Sequence, residues 1–127
     1  MNDFDITDIE NLVSAEVRKL GFTNVWNNRP KATDDTISEF VVVRVSGGIS
    51  DYAAYGQCRV LIHLFARNVK EMKNAKKLSV MQKKIEGLPQ WIDPLLINGK
   101  PRIVGDTPDN FGFHCRIINF KVTIKTA

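Results

Sequence analysis

Cysteine is almost missing from this chain: among 127 residues there are two, Cys58 and Cys115, each inside a segment with strand character. That excludes a disulfide-stapled fold and predicts two thiols serving as small core residues in a reducing cytosol. Histidine is equally scarce, and His63 and His114 stand in no CxxC, HxH or HExxH spacing with each other or with the cysteines. A metal centre needs several such ligands to converge, so none is expected. In extended backbone Cys58 and His63, five apart, point to opposite faces, as do the neighbours His114 and Cys115. On this reading neither cysteine pairs with a histidine.

Long apolar runs are also absent. None approaches the ~18 residues of a membrane span, and the start of the chain, with Asp3, Asp5, Asp8 and Glu10, is acidic where a signal peptide is basic and then apolar. The expectation is an intracellular protein with no membrane partner. The GxSxG elbow and the GxxxxGK and GxGxxG phosphate loops are missing too. Asp34 with Asp35, and Asp106 with Asp109, sit among turn residues, where carboxylates bond nearby backbone. No catalytic, cofactor or metal residue is expected, and the chain reads as a non-enzyme.

What is present is the material of one folded domain spanning residues 1–127, with 43% hydrophobic and 25% charged residues. The net charge of +4 is unevenly spread. The first 16 residues hold Asp3, Asp5, Asp8, Glu10 and Glu16 without a cation, whereas residues 67–84 hold seven cations against the single Glu71. Such a division suits either two solvated helix faces or docking between identical subunits.

Periodicity places the elements. Thr7 and Glu10 have capping-box spacing, and Ile6, Ile9, Leu12, Val13, Val17 and Leu20 recur at helical period before Gly21. Glu16 falls inside that stripe, at its edge, paired with a cation or facing another subunit. Residues 22–28 suggest a short strand and 29–38 a loop, followed by a strand over 40–46 with both faces largely covered. Residues 47–56, with three glycines and Tyr52 and Tyr55, read as an extended hairpin loop.

Residues 58–67 form a strand with one wholly apolar face and one mixed face of Arg59, Leu61, His63, Phe65 and Arg67, either half exposed or an assembly surface. The spacing predicts a second helix capped by Asn68 with Glu71 at N3, ending near Gly87. Met72, Ala75, Leu78, Met81 and Ile85 face inward, and Lys70, Lys73, Lys76, Lys77, Lys83 and Lys84 outward. Residues 90–99 read as irregular, 100–105 as a short strand, 107–112 as a turn and 113–125 as a long closing strand. The lysine-faced helix could contact phosphates, but it lacks the arginines and aromatics of a nucleic-acid reader, so direct nucleic-acid binding is not expected.

The order of these elements resembles the tail terminator, or tail completion, proteins of long-tailed phages. The resemblance rests on VLIHLFARN (60–68), a strand running through an aromatic into a helix, and on GDTPDNFGFHCRIINFKVTIK (105–125), a polar turn leading into a long final strand. It implies an α+β fold, with a mixed, mostly antiparallel sheet of about four to five strands and two helices packed on one face. It also implies a homohexameric ring, located in the virion after assembly in the bacterial cytoplasm. That ring caps the tail tube, stops its polymerisation and offers a surface to the head connector. A ring is a head-to-tail assembly in which two different surfaces meet. The candidate surfaces for neighbouring subunits or the tube are Glu16, Tyr52, Tyr55, Arg59, His63, Arg67, Lys73 and Lys77, with the tyrosines as low-entropy anchors. Another head–tail joining or minor tail role, or a small nucleic-acid-binding module using the lysine helix, stands as the alternative.

Overall fold

The computed structural model describes residues 5–27, 36–51, 55–109 and 111–125. In chain order its elements are α1 (Ile6–Lys19), β1 (Val25–Trp26), β2 (Glu39–Asp51), β3 (Tyr55–Arg67), α2 (Ala75–Ile85), β4 (Trp91–Ile92), β5 (Leu95–Pro108) and β6 (Phe113–Lys125). The strands form one six-stranded sheet in the order β1-β2-β3-β6-β5-β4. The β1–β2 pairing is parallel and the others are antiparallel, so the sheet is mixed and the class is α+β.

The sheet exceeds the four to five strands anticipated because the segment 90–99, expected to be irregular, contains β4 and the start of β5. Trp91 and Ile92 pair with Leu96 and Leu95 across a tight turn. From there β5 runs on to Pro108, with register shifts after Asn98 and after Ile103. Each shift breaks the inward–outward alternation, which removes the period-two signal by which a strand is read from sequence.

Both helices lie on one face. Ile9, Val13 and Val17 of α1 and Leu78, Met81 and Ile85 of α2 are buried in one cluster with Val41, Val43, Val60, Ile62, Leu64, Ile118, Phe120, Val122 and Ile124. The helix stripes (i, i+4, i+8 and i, i+3, i+7) meet the alternate positions of the central strands, which is why this face excludes water.

The helix ends differ from the expected ones, for local reasons. In α1 the capping box is Asp5 with Asp8, not Thr7 with Glu10: the Asp5 side chain accepts from the Asp8 N–H and the Asp8 side chain from the Asp5 N–H. A carboxylate at this position also meets the positive end of the helix dipole. Glu10 is thereby free to reach across, and its Oε2 accepts from the Val45 N–H at 2.9 Å, closing the β2 edge beyond the end of β1. Gly21, at φ +108°, takes the left-handed position that ends the helix.

The second helix begins six residues later than the sequence suggests. Asn68 donates its backbone N–H to the Gly112 carbonyl, and Val69 and Met72 exchange two backbone hydrogen bonds of 2.9 Å. Lys70 and Glu71 sit between them at φ 52° and 64°. This is a tight turn with both central residues left-handed, normally written with asparagine or glycine and therefore unmarked here. Asn74 is the actual N-cap, accepting from the Lys77 N–H. Met72 consequently leaves the core and stands 71% exposed. The expected hairpin loop over 47–56 is also mostly strand: β2 continues to Asp51 and β3 starts at Tyr55, with a register shift between Ser46 and Ser50. Ile49 packs against the helix-side core.

Candidate functional site

The face opposite the helices divides into two halves, and the register across β2, β3, β6 and β5 sets their contents. Toward the C-terminal end of β3, Phe40 lies opposite Phe65 and Phe65 opposite Cys115. Phe40, Val42, Phe65, Phe113 and Cys115 form a second buried cluster, with Trp26, Ile37 and Ile117 packed on it. Phe40 stacks on Phe65 with ring centroids 4.4 Å apart and meets Phe113 edge-on at 5.1 Å. This half supplies its own cover without a helix.

The other half is wet and cationic. One row across the strands reads Arg44, Leu61, Asn119 and Arg102, and the next reads Ser46, Arg59, Lys121 and Asn98. Arg44, Arg59, Arg102 and Lys121 are all exposed. A shallow depression of about 290 Å³ lined by Arg44, Ser46, Leu61 and His63 opens between the halves. Beside it, Asn119 Oδ1 is buried without a hydrogen-bond partner.

His63 sits at the boundary. Burial, reinforced by the Arg44 charge, holds its pKa below the ordinary value, so the ring is neutral at pH 7. Its Nδ1 lies 3.9 Å from Cys115 Sγ. The sequence reading paired neither cysteine with a histidine. The structure brings this pair together because Cys115 lies opposite Phe65, one diagonal step from His63 on the same face. Only the inter-strand register carries that information. The thiol of the pair is buried. Cys58 lies on the helix side, where burial pushes its thiol up to about 11. Among the described residues no group of three His, Cys, Asp or Glu side chains converges as a metal site would require.

A second polar cluster sits on the helix side at the β5–β6 edge. The Asp106 carboxylate receives Lys73 Nζ at 3.0 Å and Arg116 Nη2 at 3.0 Å, and also meets His114 Nε2. Partial burial pushes the Asp106 pKa upward, but the hydrogen bonds from Lys73, His114 and Arg116 and the Arg116 charge outweigh it and hold the carboxyl below its ordinary value. Arg116 also donates to Gln82 Oε1 at 2.9 Å, so the cluster ties α2 to the sheet.

The six candidate residues whose side chains are described therefore do not gather in one place. Arg59, His63 and Arg67 share the helix-free face, but the Arg67 guanidinium is stacked 4.5 Å from the Phe113 ring centroid and its Nε donates to the Ile37 carbonyl. Lys73 and Lys77 lie on the helix side, paired with Asp106 and Glu39. Glu16 is bonded to Lys19 at 3.0 Å. Tyr52 lies outside the described residues, as does the side chain of Tyr55. Sequence reasoning missed Arg44, Arg102 and Lys121, whose grouping depends on pairing among four strands.

One further surface is the outer side of β5. Because β4 pairs only with Leu95 and Leu96, residues 102–108 have no strand partner on that side among the described residues. Within this stretch Ile103, which register places opposite Ile118 on the helix side, and Val104 are 52% and 55% exposed.

Taken together, these features define an α+β domain with two helices on one face of a mixed sheet and unpaired surfaces elsewhere. Comparison of the chain with protein-family models and with curated proteins gives no match. No helix among the described residues is long and apolar enough to cross a membrane.

Proposed function

We propose that this chain is a structural virion protein that assembles into a ring on the end of a phage tail tube, stops tube growth and offers a head-joining surface. The observation that carries this reading is the unpaired β5 edge, with β-branched Ile103 and Val104 half exposed. Open strand edges with apolar side chains are templates for pairing with another chain, and soluble proteins ordinarily blunt them. The order of elements that resembles the tail terminators supports the same role. A ring needs two different surfaces on each subunit, and the exposed stretch of β5 supplies one of them. The role involves no catalytic step.

The test is mass in solution by light scattering, paired with negative-stain imaging across a concentration series. A hexameric ring that Ile103→Lys dissociates into folded monomers supports the assignment. A monomer at every concentration, or rings unaffected by Ile103→Lys, sinks it.

A further inference from the structure

The wet half of the helix-free face holds four exposed cations, Arg44, Arg59, Arg102 and Lys121, in two adjacent rows across β2, β3, β6 and β5. Arg59 and Lys121 are direct cross-strand partners. Like charges in that position destabilise a sheet, and a nearby carboxylate usually relieves them. None does so here. Every carboxylate whose side chain is described belongs to a helix, a turn or the helix side of the sheet: Glu39 bonds Lys77, and Asp106 bonds Lys73 and Arg116. Among the described residues none of the four cations makes an ion pair. The field of this patch is felt by its neighbour, since the Arg44 charge helps hold His63 neutral.

We infer that this patch is a binding surface for the phosphate backbone of a nucleic acid. Three of its four cations are arginines, whose planar fork matches a phosphate bidentately. Neighbouring strands lie about 4.8 Å apart, so a track from Arg44 across to Arg102 spans roughly 14 Å, enough for two or three successive phosphates. The depression beside Arg44 gives one phosphate a seat. A protein partner would call for an apolar centre rimmed by charge, whereas within the two cationic rows the one apolar side chain is the half-buried Leu61, and the exposed Leu96 and Trp91 lie at the margin toward β4. Phe40, Phe65 and Phe113 of the same face are buried against each other, so the four cations, through phosphate contacts, supply the binding mode. Binding is therefore insensitive to base sequence and strongly sensitive to salt. This surface is not the lysine-faced helix, and its use does not depend on ring formation.

Fluorescence anisotropy of the full chain with a labelled mixed-sequence DNA duplex tests the inference. Three to four phosphate contacts predict an affinity loss of roughly 40- to 150-fold between about 50 and 200 mM salt. The double variant Arg59→Gln, Lys121→Gln should bind at least tenfold more weakly at low salt, with the slope of log affinity against log salt reduced by about 1.8. The variant Lys76→Gln, Lys83→Gln, on the outer side of α2, should bind as the parent does. No binding by the parent at ~50 mM salt overturns the inference, as does loss in the α2 variant with retention in the sheet variant. If polyglutamate competes as well as DNA at equal charge, the surface takes an acidic polypeptide and the nucleic-acid assignment fails.

Discussion

The two faces of the sheet are built from the same strands and do opposite work. On the helix side, alternate residues of β2, β3 and β6 are aliphatic along most of their length, and both helices close over them. On the other side, β2 and β6 run from aromatic to cationic and the antiparallel β3 from cationic to aromatic, and neither α1 nor α2 covers them. Hydrophobic burial sufficient to fold the chain is thus concentrated on one face, leaving half of the other face without a role in stability. This cationic half is where we propose that a partner binds.

That contrast can be broken by mutation, beginning where the effect is largest. Leu64 on β3 is fully buried between sheet and helices, so Leu64→Ala should cost about 3 kcal/mol of unfolding free energy in a denaturant titration. A loss below ~1 kcal/mol would mean the helix side is loosely packed. Its neighbour Phe65, on the opposite face, is packed only by the small aromatic cluster, and Phe65→Leu should cost about 1 kcal/mol, near the value of the lost stacking on Phe40. A loss equal to that of Leu64→Ala would erase the distinction between the faces.

A smaller effect comes from pH. The folded-state pKa of His63 lies below its ordinary 6.5, so the unfolded chain binds the proton more readily. The His63 contribution to stability is then complete above about pH 6.5 and is lost as the pH falls below it toward the folded-state value. His63→Gln should flatten that part of the stability profile, measured as melting temperature between pH 7 and 5. An unchanged profile would place the acid-sensitive group elsewhere.

How much of this was legible in the chain depended on whether the signal was local. The apolar stripe of α1, the alternating faces of β3 and the second half of β6 follow from periods of 3.6 and 2, and the fold class followed from them. The start of α2 was misread because Lys70 and Glu71 adopt left-handed backbone without glycine or asparagine to announce it. β5 was read as a short strand because its two register shifts interrupt the alternation. The acids of the N-terminal segment suit solvated helix faces or docking by composition alone, and only the fold shows that Asp5 and Asp8 cap the helix, Glu10 holds β2 and Glu16 holds Lys19. The His63–Cys115 pair joins residues 52 apart in sequence. The cationic rows likewise draw on four strands, and no pattern within one strand encodes their meeting.

The central claim is that one face folds the chain while the cationic half of the other is held for a partner. Its most direct test is the melting temperature of the Arg59→Gln, Lys121→Gln double variant without any ligand. Removing two opposed like charges that touch no core residue should leave the melting temperature unchanged or slightly raised, within about 0.5 kcal/mol of the parent. A clear fall in melting temperature would show that these side chains hold the fold together, and would contradict the division between the faces.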